Sequence, residues 1–302
     1  MSTPSGEQHE IAAGDLQVVV VEVGGGLRSF EVGGRGLLDG YPADAMCTSG
    51  RGQLLLPWPN RLQDGTYEFD GHTHRLPLTE PTTGNAIHGL VRWAPWRPSE
   101  RDASRITMRH TLHPQPGYPF TLELAVAYEL SERGLTVTTT ATNRGTSAAP
   151  FGCGAHPYLH LGDSGVDPLL LRVPADVVVR SNERGLPERS EPVEDGELDF
   201  RQARPIGATV LDNAFTQLER DTDGLARARL EDPASGDAVT LWVDEAYRYL
   251  MVFTGDPLPD VARRSVAIEP MTCPPNAFRT GVSLIRLEPG ESVTARFGIE
   301  TA

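Results

Sequence analysis

Turn formers interrupt this chain along its whole length. Its 31 glycines and 25 prolines are spread over 302 residues instead of gathering in a linker or tail. Each proline removes a backbone donor and each glycine weakens a helix interior, so no long helix survives such spacing. No apolar period of 3.6 persists for three turns, and the best helical stretch is the short Asp199–Ala203. Between the turn formers lie short β-branched runs. Leu16–Val23 reads LQVVVVEV and stops at Gly24-Gly25-Gly26, and Leu27–Val32 alternates up to Gly33-Gly34. Thr66–Phe69 and Thr73–Leu78 flank Asp70-Gly71, a strong hairpin signal. Phe120–Leu130 and Leu135–Asn143 flank a second turn at 131–134, and the latter run sets Thr136, Thr138 and Thr140 on one face. Further strands are expected at Leu169–Val173, Val177–Arg180, Arg227–Leu230, Ala238–Val243, Tyr249–Thr254, Ser265–Glu269, Ser283–Leu287 and Ser292–Ile299. The expected fold class is all-β: a large antiparallel β-sandwich in one domain over 1–302, with a flexible start at 1–14 and a long surface loop at Ser181–Gly196.

A chain of this length buries a large core without needing disulfides or metals. The net charge of −14 repels phosphate backbones and anionic lipid, which argues against nucleic-acid and membrane-surface partners. The three cysteines are widely spaced and form no C-x-x-C pair, so neither a disulfide framework nor a zinc site is expected. Met1–Gly14 is polar, and no run approaches ~20 apolar residues. The reading is no signal peptide, no transmembrane helix and a cytoplasmic location.

Most of the eight histidines sit at strand ends or in turns, where solvent exposure is the plain reading. His88 and His156 differ. His88 lies in Gly84-Asn85-Ala86-Ile87-His88-Gly89-Leu90, and His156 in Gly152-Cys153-Gly154-Ala155-His156-Pro157-Tyr158. Small residues around each let a ligand come close to the backbone. Glu269 ends the apolar run Val266-Ala267-Ile268, and a carboxylate on a buried strand needs a partner. A salt-bridged or edge-facing carboxylate is the competing reading. Asn60-Arg61 follows Leu56-Pro57-Trp58-Pro59, where prolines stiffen the loop. Asp212 lies in Leu211-Asp212-Asn213-Ala214-Phe215, whose plain reading is an Asx turn. Trp58, Trp93 and Trp96 suit either a ligand's apolar face or the core. Arg28, Arg92, Arg263 and Arg264 suit either an anion or the surface.

Taken in order, these segments resemble the aldose 1-epimerase (mutarotase) family, from about Leu16 to Ile299. The order is Asn-Arg, His-Gly, a histidine followed by a tyrosine, Asp, then Glu. The resemblance implies the large sandwich of the galactose mutarotase-like group and interconversion of the α and β anomers of an aldose. It makes Glu269 the general base and His156 the general acid, with His88 assisting at the ring oxygen or holding a hydroxyl. Arg61, Asn60 and Asp212 become the sugar-binding residues. It implies a small-molecule sugar as partner, no cofactor and no metal, in a monomer or homodimer. Two runs depart from the commoner pattern: His88 is followed by Gly89-Leu90, and His156 by Pro157-Tyr158-Leu159. The runs Leu56-Pro57-Trp58-Pro59-Asn60-Arg61 and Glu269-Pro270-Met271-Thr272-Cys273-Pro274-Pro275 resemble a bacterial branch close to sulfoquinovose mutarotase.

Anomer exchange needs a base at the O1 hydroxyl and an acid at the ring oxygen, and a carboxylate and an imidazole can both be tuned toward neutrality. A non-catalytic carbohydrate-binding sandwich would use the same loops without needing Glu269 and His156 together. A cupin-like metal enzyme would want closely spaced His-x-His ligands, which are absent near these positions. A glycosidase would want paired carboxylates, for which only Glu269 and Asp212 stand out.

Overall fold

Two large antiparallel sheets dominate the computed structural model, which describes residues 3–162, 164–259 and 261–301. The nine-stranded sheet runs Arg97–Arg101, Arg105–Leu112, Leu122–Ser131, Gly134–Asn143, Ser292–Thr301, Ala238–Val243, Ala226–Glu231, Leu170–Arg172, Arg204–Pro205. The eight-stranded sheet runs Pro187–Pro192, Ala175–Ser181, Asp212–Leu218, Tyr249–Phe253, Val266–Met271, Gly154–Ala155, Leu54–Leu55, with Tyr158–Leu159 also on Val266–Met271. Among the described residues helix is confined to Ala277–Thr280, and no helix is long and apolar enough to cross a membrane. The fold is an all-β antiparallel sandwich.

Period-two alternation explains the packing. On Leu122–Ser131, Leu124, Val126 and Tyr128 are buried and the residues between them are not. On Gly134–Asn143, Val137 and Ala141 point inward while Thr136, Thr138 and Thr140 face out, as expected. These side chains join Val178, Phe215, Leu250, Val252 and Ile268 of the other sheet in one continuous apolar cluster. The Asp70-Gly71 hairpin also forms, pairing Thr66–Phe69 with His72–Arg75.

Several local expectations need correction. Asp199–Ala203 is not helical. The Asp199 carboxylate accepts from the Arg201 backbone N–H at 3.1 Å and from its guanidinium at 2.7 Å, and such local bonds compete with a helix ladder. The start of the chain is not wholly free: Gln8–Ala13 pairs along its length with Leu16–Val21 and buries His9 and Ile11. The 181–196 segment is not all loop, because Pro187–Pro192 forms the outermost strand of the eight-stranded sheet. Its polarity suits an edge, where charged side chains and proline discourage further pairing. Leu211–Phe215 is not a turn; Asp212 opens the strand Asp212–Leu218.

The eight-stranded sheet positions the site. Residues directly opposite in an antiparallel pair share a face, and the face alternates along each strand. Ile268 therefore points into the core, and Glu269 points to the other side, opposite Met251. Asp212 stands opposite Phe253 on that same side.

Candidate active site

A cavity of roughly 360 Å³ opens over the outer face of the eight-stranded sheet. Asn60, Arg61, His88, His156, Asp212 and Glu269 all line it, although they are scattered over 210 positions of sequence. Glu269 is only 2% exposed and His156 only 5%. The strand bearing Glu269 lies inside the sheet rather than at its edge, so the edge-facing reading of this carboxylate does not hold.

His156 Nε2 lies 3.3 Å from Glu269 Oε1. Glu269 Oε2 and His156 Nδ1 are buried and have no hydrogen-bond partner. Burial raises the Glu269 carboxyl well above its ordinary value; Asp212 adds to this and Arg61 opposes it. Burial lowers His156 to about 3, helped by the charges of Arg92 and Arg51. At this spacing an ion pair would be one assignment. The two shift directions instead favour the neutral pair, with the shared proton on the carboxyl, because a dry site penalises both charges.

His88 is fixed differently. The Asn60 backbone N–H donates to His88 Nδ1 at 3.2 Å, and the His88 backbone N–H donates to the Asn60 carbonyl at 2.9 Å. A backbone N–H can only donate, so Nδ1 is the acceptor and the ring proton sits on Nε2. Both residues take left-handed backbone conformations, φ 55° and 61°, that few side chains adopt. Burial, His156, Arg92 and Arg61 all push His88 well below its ordinary pKa. It is thus a neutral donor, with its ring centroid 5.4 Å from that of His156.

Arg61 is held by a residue without sequence signal. Its guanidinium donates to both oxygens of Glu80, each at 2.9 Å. Burial alone would raise Glu80, but Arg61, Thr83 and Asn85 outweigh it and keep the carboxyl low. Asp212 stays open to solvent at the cavity, and its carboxyl is raised by partial burial against the pull of Arg61. Asn60 Oδ1 accepts from the Arg61 backbone N–H at 2.8 Å.

Of the tryptophans, Trp93 lines the cavity with half its surface exposed, while Trp58 and Trp96 are core residues. Of the arginines, Arg263 pairs with Asp167 and Asp256, and Arg264 with Asp39. Arg28 donates to the Tyr41 carbonyl. Arg92 lines the cavity and, among the described residues, has no carboxylate within ion-pair distance. Gln53 is another cavity residue that sequence reading missed: its amide donates to the Arg92 carbonyl at 3.2 Å, leaving Oε1 buried without a partner. His88, His156 and Glu269 each offer a metal-ligating atom, all within 4.8 Å of one another. That is a two-histidine, one-carboxylate set, but the charges of Arg61 and Arg92 beside it oppose a dipositive ion.

The family profile of the aldose 1-epimerases matches residues 7–300. The uncharacterized protein YihR of Escherichia coli K12 is 36% identical over 98% of this chain and 93% of its own. A GalM/aldose epimerase homologue from C. elegans superposes with a TM-score of 0.88 at 18% identity, covering 98% of both chains. The galactose 1-epimerase of Lactobacillus acidophilus NCFM does so with a TM-score of 0.80 at 22% identity, over 98% of this chain and 94% of its own. The neighbours below 25% identity support the sandwich fold, and the profile over nearly the whole length carries the assignment: the chain belongs to the aldose 1-epimerase family.

Proposed function

We propose that the protein is an aldose 1-epimerase that exchanges the α and β anomers of a sugar by ring opening and reclosure. The observation that carries this reading is the buried Glu269–His156 contact, at 3.3 Å, of two groups whose pKa values are shifted in opposite directions. The pair needs one mobile proton. In the empty site that proton rests on Glu269. Sugar hydroxyls and the Arg61 charge stabilise the carboxylate when substrate enters, and the proton passes to His156.

Glu269 then takes the proton of the O1 hydroxyl while His156 gives its proton to the ring oxygen. The C1–O5 bond breaks and the open-chain aldehyde forms. Rotation about C1–C2 presents the other face of the carbonyl. Reclosure returns each proton, so the pair ends as it began. His88, a neutral donor through Nε2, steadies the ring oxygen or a neighbouring hydroxyl. Arg61, Asn60 and Asp212 hold hydroxyls, and Trp93 offers an apolar surface to the sugar. Arg92, without a carboxylate partner, favours an aldose bearing an anionic substituent such as a sulfonate or phosphate.

Glu269→Gln tests the mechanism. Anomer exchange followed by NMR or polarimetry should fall about 10²- to 10⁴-fold, with sugar binding largely kept. A variant that still speeds exchange at the native rate would remove Glu269 from the chemistry, and a native protein that does not speed exchange would leave only a carbohydrate-binding role.

A further inference from the structure

Behind His156 stands a second layer of side chains, of which Tyr158 reaches the cavity wall and Arg51 lies further back. Tyr158 stacks on the imidazole, with centroids 4.8 Å apart and planes within 16°. The Tyr158 hydroxyl donates to the Ser49 carbonyl at 2.9 Å. Over the same Tyr158 ring lies the Arg51 guanidinium, its Cζ 4.9 Å from the centroid. Arg51 is 3% exposed at its side chain and pairs with the equally hidden Asp39 at 3.1 Å. The segment carrying Arg51 also grips the histidine through its backbone. The Gly52 N–H donates to the His156 carbonyl at 2.9 Å, and the His156 N–H to the Gln53 carbonyl at 3.0 Å. A methyl group at Gly50 would stand 2.8 Å from His156 Cδ2, so the chain closes directly on the ring.

We propose that Arg51 and Tyr158 are positioning residues for His156: Tyr158 holds the plane of the imidazole, and the Arg51 cation, anchored by Asp39, holds Tyr158 and disfavours the imidazolium. The inference rests on the acid role of His156 proposed above. A buried arginine paired with a single aspartate is a poor device for stability alone, because desolvation offsets much of the attraction. Its place over the stacked ring suits a second task. A ring that stacks on an imidazole attracts the imidazolium through its electron-rich face. A guanidinium over the same ring draws on the same π electrons and repels the new charge. His156 therefore gives up its proton readily once it has received it.

The other groups facing His156 are Glu269 at 3.3 Å, His88 at 5.4 Å between centroids and the Arg92 guanidinium. Asp39 and Cys47 act on Tyr158 from further back. Arg51→Gln removes the cation while Asp39 keeps Arg264 and Ser265 as partners. The His156 titration, followed by ¹⁵N NMR of the imidazole without sugar, should move upward by about half a unit or more. The acidic limb of the kcat profile should move with it, and kcat should fall about tenfold with KM kept. Arg51→Lys restores the titration and part of kcat. Tyr158→Phe keeps the stack and most of kcat, whereas Tyr158→Leu loses both. A folded Arg51→Gln protein with unchanged titration and kcat overturns the proposal. If Arg51→Gln does not fold, equal kcat in the Phe and Leu variants at Tyr158 overturns it. A titration that moves in a protein without anomer exchange supports the clamp and counts against the proposed function instead.

Discussion

Arg92 is the residue whose meaning changed most once it was seen in place. In sequence it is one of several arginines; in the fold it faces the cavity while its counterparts at 263 and 264 are spent on aspartates. Its guanidinium donates to the Ile87 carbonyl at 3.4 Å but to no carboxylate among the described residues, which leaves further donors for a ligand. Arg92→Met should therefore cut the kcat/KM ratio of a 6-sulfonated or 6-phosphorylated aldose over its neutral parent by about tenfold, equivalent to roughly 1.4 kcal/mol. Steady-state kinetics on a panel of neutral and anionic aldoses reads this ratio. An unchanged ratio removes Arg92 from substrate choice. His88 teaches a related point. Its small-residue setting marked it as a candidate, but only the Asn60 N–H fixes which nitrogen carries the proton.

Among the elements, the polar 181–196 segment proved to be more than a surface loop. Its strand Pro187–Pro192 edges the eight-stranded sheet, and the turn before it reaches the site. Arg184 donates to the carbonyls of Thr83 and Gly84 at 2.7 and 3.0 Å. Gly185 lies flat against Arg61: a methyl there would stand 2.6–2.8 Å from the guanidinium, at a φ of 69°. Gly185→Ala should thus push Arg61 out of line and destabilise the fold by about 1–2 kcal/mol. The expected outcome is a raised KM with a smaller change in kcat, and a lower melting temperature. Native values for both would show that the turn gives way without disturbing Arg61. The segment looked like loop because an edge strand is polar on purpose, whereas central strands such as Leu122–Ser131 were legible because one face is apolar throughout and alternates with a polar one.

For the whole molecule, the site makes stability depend on pH. Glu269 has a folded pKa raised above its ordinary 4.5, so its contribution is fully present below 4.5 and is lost as pH rises. His156 is lowered from 6.5 to about 3, so its contribution is present above 6.5 and is lost as pH falls toward 3. His88 shifts in the same direction as His156. Stability should peak near pH 6.5 as far as these groups decide it. Above that, Glu269 costs about 1.4 kcal/mol per pH unit until it ionises. Glu269→Gln should then melt a few degrees higher than the native protein at pH 8, from roughly 2–4 °C per kcal/mol, with the gain shrinking toward pH 5. Equal melting temperatures across that range would mean that Glu269 is not held neutral in the fold. Such a gain is the usual mark of a functional group kept at the expense of stability.

The class of fold was readable because it follows from local chemistry. Dispersed glycines and prolines forbid long helices, and alternation such as that of Leu122–Ser131 declares one inward face. The candidate site residues were readable as a resemblance of ordered short motifs, which the fold brings to one cavity. Tertiary structure alone decided how these residues work. Glu269 lies buried rather than at an edge because its strand is covered on one side by the preceding strand, Tyr249–Phe253, and on the other by Tyr158–Leu159, more than a hundred residues away. Glu80 as the anchor of Arg61, the orphaned Gln53 oxygen, the Arg51–Tyr158 stack and the proton position on His88 all rest on pairings between segments far apart in sequence. Such pairings leave no periodicity to read, because burial, charge and hydrogen bonding act between neighbours in space.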